Sequence, residues 1–207
     1  MGSDSGSSMT SIDVQQYFID VLTDFADFMP SSNANIMDEA ISTFASQLAS
    51  SGEASDVRFI KTGENSYSGY FTFENFASLA TALAEGGSQS IIKQDDNSLS
   101  FYVDINNYSE LENIVPFLGD PNIEVFLAKY NEGYSEEDYM DMIVFSLGEE
   151  APESLSNSYI TINGVVPGNI TAISGATKTG DNSFSYSFPL IDFLLLSHPL
   201  QFNVTWN

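Results

Sequence analysis

The segment Ile60-Lys-Thr-Gly-Glu-Asn-Ser-Tyr-Ser-Gly-Tyr-Phe71 decides the fold of this chain, and it recurs twice in altered form. Each version has a lysine, then a turn that ends in Asn-Ser, then a strand in which apolar and polar residues alternate. Asn, Asp and Gly tolerate the positive φ values of tight turns, so each version predicts a β-hairpin. The other versions are Ile92-Lys-Gln-Asp-Asp-Asn-Ser-Leu-Ser-Phe-Tyr-Val103 and Thr177-Lys-Thr-Gly-Asp-Asn-Ser-Phe-Ser-Tyr-Ser-Phe188.

The strands that follow these turns place apolar residues on one side and polar residues on the other. Such alternation is typical of an antiparallel sheet with one buried and one solvated face. The last residues of the chain show the same pattern, which predicts a further strand. The apolar sets are Tyr67, Phe71 and Phe73; Leu99, Phe101, Val103 and Ile105; Phe184, Tyr186, Phe188 and Leu190; and Leu200, Phe202, Val204 and Trp206.

The first two hairpins belong to a longer repeat. Ile60, Lys61 and Asn75 recur 32 residues later as Ile92, Lys93 and Asn107, and a helical pattern follows each hairpin. We therefore predict two tandem ββα units that share one core. The alternative is that the shared residues reflect only the common chemistry of hairpin turns.

The whole chain is predicted to be an α+β domain in which a curved antiparallel sheet of about eight strands packs on helices. Residues 1–10 are rich in Ser and Gly and predict a flexible tail, either a cloning remnant or a polar tether. Residues 11–52 predict a helical hairpin packed on the main domain, residues 53–207. The main domain contains the ββα units 53–87 and 88–119, a helical segment 120–150 and a C-terminal β region 157–207.

The charge of the chain excludes one class of partner. Lys and Arg number 5 against 29 Asp and Glu, which gives a net charge of −24. Phosphate backbones are bound by neutralising them with cationic side chains, so we expect no nucleic-acid partner. The partners that remain compatible with this charge are cations, basic proteins and neutral apolar ligands. The acidity is also explained by solubility alone or by adaptation to high salt.

No residue pattern points to catalysis, a cofactor or a metal. The chain has no Cys and one histidine, His198, which we interpret as a half-buried linker residue. The acidic run from Glu136 to Asp141 starts a helix over Ser135–Gly148 whose apolar residues nearly encircle it, which predicts a buried helix. Asp95 and Asp96 fall in a hairpin turn. We therefore assign no catalytic, cofactor or metal residues, and no ligand-binding residues.

Membrane-spanning segments are not predicted. The longest apolar run, Phe188 to Leu196, contains a Pro and an Asp and is shorter than the roughly 18 residues that a spanning helix needs. It predicts the end of a strand followed by a short helix.

The region from Ser158 to Trp206 has a distinctive series of turn and apolar residues. They are Pro167, Gly168, Ile170, Ser174, Gly175, Gly180, Asn182 and Tyr186. At these positions the region resembles uncharacterised bacterial cell-envelope lipoproteins, spirochaete ones included, and the hairpin of the actinobacterial LppM-like group. The resemblance implies a lipid-anchored protein at the periplasmic or outer surface, with the anchor on a residue absent from this chain. It also implies lipid or apolar-ligand binding.

These observations favour a non-enzymatic, extracytoplasmic lipoprotein that binds an apolar small molecule, a lipid or a protein partner between sheet and helices. The alternative is an acidic cation-binding domain or a hydrolase that uses carboxylates. That alternative predicts acidic side chains that converge in a cleft with raised pKa values.

Overall fold

The computed structural model describes residues 6–13, 36–63, 66–84, 90–119 and 123–207. In chain order its α-helices and 3-10 helices lie between strands, and the two longest helices are Ile36–Ser50 and Glu136–Leu147. The α-helices are α1 (Ile36–Ser50), α2 (Phe76–Leu83), α3 (Tyr108–Ile114), α4 (Glu136–Leu147), α5 (Ala151–Ser156) and α6 (Leu190–Leu195). The 3-10 helices span Pro116–Gly119, Glu124–Phe126 and Ala128–Tyr130.

The described strands form two antiparallel sheets. The strands are β1 (Gly6–Asp13), β2 (Ala54–Lys61), β3 (Ser66–Phe73), β4 (Ile92–Asp95), β5 (Ser98–Val103), β6 (Tyr159–Val165), β7 (Ile170–Ser174), β8 (Thr177–Lys178), β9 (Ser183–Pro189) and β10 (Leu200–Trp206). The six-stranded sheet has the order β2-β3-β1-β6-β9-β8, and the four-stranded sheet has the order β4-β5-β10-β7. The predicted α+β class, with antiparallel strands packed on helices, is confirmed.

The predicted alternation decides which residues enter the core. In β3, β9 and β10 the predicted apolar positions are buried, and the positions predicted to face solvent are more exposed. Phe202 of the four-stranded sheet lies 5.2 Å, centroid to centroid, from both Phe184 and Tyr186 of the six-stranded sheet. The two sheets therefore meet through their aromatic faces, and the opposite face of the four-stranded sheet is turned to solvent.

The tandem ββα units are present as local structure. The first consists of β2, β3 and α2, and the second of β4, β5 and α3. The two hairpins lie in different sheets, however, because β3 pairs with β1 and β5 pairs with β10. A local repeat can specify a hairpin and a helix, but it does not specify the strand that pairs with the hairpin.

The N-terminal predictions need correction where the structure describes them. Gly6–Asp13 forms strand β1, although residues 1–10 predict a flexible tail and residue 11 a helix start. β1 pairs with β3 on one side and β6 on the other. The backbone N–H and C=O groups of β1 thereby find hydrogen-bonding partners on both sides. This stabilisation outweighs the low strand preference of its Ser- and Gly-rich sequence. The rest of the first predicted helix lies outside the described residues, whereas the second corresponds to α1.

Helix α4 is buried on one side only. Tyr139 and Ile143 are fully buried, but Phe145 is 93% exposed and Val144 is 37% exposed. The prediction of an encircled, buried helix is therefore wrong. The helix start is as predicted, because Ser135 and Asp138 form a capping box.

Candidate functional site

An open groove of about 680 Å3 lies on the solvent-facing side of the four-stranded sheet. Its lining comes from separate parts of the chain: the second ββα unit, the end of β7 with the turn after it, and β10. Most of its side chains carry a hydroxyl, an amide or a charge. The lining residues are Ser90, Ile91, Lys93, Ser100, Phe101, Tyr102, Asp104, Asn107, Ser174, Gly175, Gln201, Phe202 and Asn203. We name this surface the outer groove.

The floor of the outer groove is a row of polar residues that crosses the sheet. Lys93 pairs with Ser100, Ser100 pairs with Asn203, and Asn203 pairs with Ser174. Because neighbouring strands lie about 4.8 Å apart, the row of four is about 14 Å long. The sheet register therefore builds a continuous line of hydrogen-bonding groups.

Tyr102 and Asp104 form one end of the outer groove. The Tyr102 side chain is exposed, and its hydroxyl donates to Asp104 Oδ2 at 3.0 Å. Asp104 also accepts from the Asn106 side-chain amide at 3.1 Å and from the backbone N–H groups of Asn106 and Asn107 at 2.9 and 3.2 Å. These hydrogen bonds, the Asn106 side chain first, hold the pKa of the Asp104 carboxyl below its usual value. The carboxylate is ionised at neutral pH and fixes the Tyr102 ring.

Asn107 joins this end of the groove to Ser90, which precedes β4 in the chain. Its Oδ1 accepts from the Asp104 N–H at 2.9 Å, and its Nδ2 donates to the Tyr102 carbonyl at 3.0 Å and to Ser90 Oγ at 3.2 Å. Ser90 in turn donates through its N–H and its hydroxyl to the Glu110 carboxylate. One polar network thus links Ser90, the end of β5 and helix α3, and it keeps this end of the groove in place.

Gly175 forms the opposite wall, in the turn after β7. Its φ of +76° suits glycine, and a Cβ at this position would lie 2.2 Å from the Gln201 carbonyl oxygen and 3.0 Å from Phe202 Cα. Only a residue without a side chain lets the turn contact the backbone of β10 so closely. Gly175 therefore sets the distance between this wall and the floor.

A second open groove of about 550 Å3 lies at the β4–β5 turn and is also lined by polar residues. Asp95 and Asp96 lie there, in the turn region as predicted, and Asp95 Oδ2 accepts from Ser98 Oγ at 3.3 Å. In the described part of the chain, no three His, Cys, Asp or Glu side chains come together in a way that could hold a metal ion.

The other acidic residues noted in the sequence lie outside both grooves. The Asp138 carboxylate accepts hydrogen bonds from the hydroxyl and the backbone N–H of Ser135, and these lower its pKa. His198 is exposed rather than half-buried, and its Nδ1 lies 3.1 Å from Ser197 Oγ. The pKa of Asp192 is raised, first by burial and then by the negative charge of Glu136. None of these carboxylates lines a groove.

Sequence reasoning did not identify the groove residues, although a weak signal was present. Ser100, Tyr102, Gln201 and Asn203 occupy the positions that the alternation assigns to solvent. A tyrosine and two amides on a solvated face can form hydrogen bonds with a ligand. The sequence does not show, however, that β5 and β10 are neighbours.

Comparison of the chain with protein-family models, curated proteins and solved structures found no match. Among the described residues, the helices are too short or too polar to cross a bilayer.

Proposed function

We propose that this chain is a non-enzymatic binding domain whose ligand lies in the outer groove. The observation that carries the proposal is the polar row Lys93, Ser100, Asn203 and Ser174, which three separate parts of the chain assemble on one exposed face. Ligand sites are concave surfaces in which a few polar groups fix the orientation of the ligand. The polar row supplies such groups along the floor, and the hydrogen bonds of Asp104 and Asn107 hold one end of the groove in place.

The aromatic faces of the sheets offer less room for a ligand. The side chains of Phe184, Tyr186, Phe188 and Phe202 are all at most 6% exposed, and their rings contact one another within β9 and between the two sheets. These residues prompted the expectation of an apolar ligand between sheet and helices. Because their surfaces are already in contact with protein, we place the ligand on the polar face.

The test is amide-resolved NMR of the full chain against a library of sugars, amino acids, nucleosides, polyamines and short peptides. We expect the compounds that bind to shift resonances of Lys93, Tyr102 and Asn203. Ser100→Trp fills the centre of the floor and should abolish these shifts. Thr161→Trp is the matched control, because Thr161 is also a half-buried residue of a central strand, on β6 of the other sheet. Binding that survives Ser100→Trp, or the absence of any shift at the groove, contradicts the proposal.

The cell-envelope location and the lipid anchor are part of the same proposal. They are supported by the resemblance of the region around Pro167 to Tyr186 to envelope lipoproteins. Fractionation of the source cells and labelling with a radioactive fatty acid test them. Label in the protein and recovery with envelope membranes are the expected results, and an unlabelled cytosolic protein excludes both.

The cation-binding or hydrolase alternative has one supporting observation, the pair Asp95 and Asp96 in the second groove beside Asn75 and Asn97. These residues supply carboxylate and amide oxygens, which are calcium ligands. A melting temperature that rises with calcium in the wild type and not in Asp95→Asn would favour this alternative.

A further inference from the structure

We infer that the ligand of the outer groove is a neutral carbohydrate chain, an inference that rests on the proposed binding function. A sugar offers hydroxyl groups that donate and accept hydrogen bonds, together with an apolar ring face. The outer groove offers the counterparts of both: hydroxyls and amides along its floor and an exposed aromatic ring at its end.

The floor favours a ligand with repeated hydroxyl groups. Ser100 and Ser174 each carry a group that donates and accepts, and the amide of Asn203 between them does both through different atoms. With the strands about 4.8 Å apart, the same chemistry recurs at regular intervals along the row. A chain of linked sugars can satisfy several of these positions at once, whereas a compound with one polar end can satisfy one.

Tyr102 supplies a surface on which a sugar ring can stack. The side chain is 39% exposed, its hydroxyl is held by Asp104, and its carbonyl is held by Asn107. Because the ring is already ordered, little conformational entropy is lost when a ligand packs on it. The two oxygens of Asp104 already accept four hydrogen bonds within the protein, so Asp104 contributes by holding the ring in place.

The charges favour a neutral chain over an anionic one. Lys93 and Asp104 are the charged residues of the lining and offset each other, while the chain as a whole carries −24. The surrounding negative field disfavours polymers that carry carboxylates, sulfates or phosphates.

The position of the groove argues against an extended peptide. Peptides that add to a sheet use the unpaired backbone groups of an edge strand. The centre of this groove instead lies over β5 and β10, which are paired on both sides. The ligand must therefore be recognised by side chains, as the hydroxyls of a sugar would be.

The experiment is isothermal titration calorimetry of the full chain with hexaoses of cellulose, xylan, mannan, chitin and starch. Oligogalacturonate serves as the anionic counterpart. We expect a neutral hexaose to bind, oligogalacturonate to bind at least about tenfold more weakly, and Tyr102→Ala to raise Kd by about tenfold, which corresponds to about 1.4 kcal/mol. Tyr102→Phe keeps the ring and should change Kd by less than about threefold. Thr161→Ala, on the other sheet, is the control that should leave Kd unchanged, and melting curves verify that each variant is folded.

The outcomes separate the two proposals. If no hexaose binds while another compound of the library shifts groove resonances, the carbohydrate inference is overturned and the binding function stands. If neither hexaoses nor library compounds act at the groove, both are overturned. Binding of a hexaose that Tyr102→Ala leaves unchanged, or preferential binding of oligogalacturonate, also overturns the inference.

Discussion

Replacement of Gly175 by alanine tests whether the wall of the outer groove depends on close contact between two backbones. The residue has a φ of +76°, and the added Cβ would lie 2.2 Å from the Gln201 carbonyl oxygen. Gly52 has nearly the same φ, +75°, but nothing lies within 4 Å of its Cβ position. Gly52→Ala therefore imposes the same backbone strain without the collision.

The two contributions can be estimated separately. An alanine in the left-handed region costs about 1 kcal/mol relative to glycine. The collision adds about 2 kcal/mol, because the atoms that must move belong to the backbone of a central strand and not to the end of a flexible side chain. Gly175→Ala should thus lower the free energy of unfolding by about 3 kcal/mol. For a chain of this length that shifts the melting temperature down by about 6–12 °C.

Urea denaturation and differential scanning calorimetry measure the effect, with Gly52→Ala expected to lower the melting temperature by about 2–4 °C. The reduced entropy of the unfolded chain favours both alanine variants alike and cancels in their difference. If the free energies of unfolding of the two variants agree within about 0.5 kcal/mol, the collision has no consequence and the described contact is refuted.

Three further predictions concern other parts of the chain. Phe145→Ala should change the free energy of unfolding by less than about 0.5 kcal/mol, because Phe145 is exposed. Ile143→Ala, at a buried site of the same helix, should lower the free energy of unfolding by about 2–5 kcal/mol. Equal effects of the two substitutions in urea denaturation would contradict the one-sided burial of α4. The pKa of Asp104 is lower in the folded state than in the unfolded state. The ionised carboxylate therefore stabilises the fold at pH values above the unfolded-state pKa, and this stabilisation is lost as the pH falls through the folded-state pKa. An NMR titration should show a larger rise of this pKa in Asn106→Ala than in Tyr102→Phe, and the reverse order would show that the Asn106 hydrogen bond is not the main cause. The net charge of −24 predicts that sodium chloride raises the melting temperature by screening self-repulsion; a melting temperature independent of salt would contradict this.

Features that depend on residues close together in the chain could be predicted from the sequence. The capping box of Ser135 and Asp138 is an example, because its partners are three residues apart. In the first ββα unit, Asn75 accepts from the Ser78 N–H at 2.8 Å and caps α2. Asn107 holds the equivalent position in the repeat, but its side chain makes no capping bond and instead holds the groove end. The same residue in the same local pattern thus has two roles, since its surroundings differ.

The candidate site could not be predicted, because its parts are distant in the chain. Ser100 and Asn203 are neighbours only because β5 pairs with β10. Gly175 closes the groove only because β7 pairs with the other edge of β10. The role of Gly6–Asp13 as a strand likewise depends on β3 and β6, which lie on either side of it.

By itself, the sequence determined the α+β class, the hairpins, most helix starts and the buried face of the strands that follow the three turns and of the last strand. These follow from the two-residue period of a strand and from turn and cap chemistry, which act over a few residues. Only the tertiary structure decided which strands pair, and therefore that the hairpins divide between two sheets and that polar residues from three parts of the chain meet in one groove. Strand pairing depends on long-range contacts whose free energy is shared by the whole core, and no local pattern encodes it.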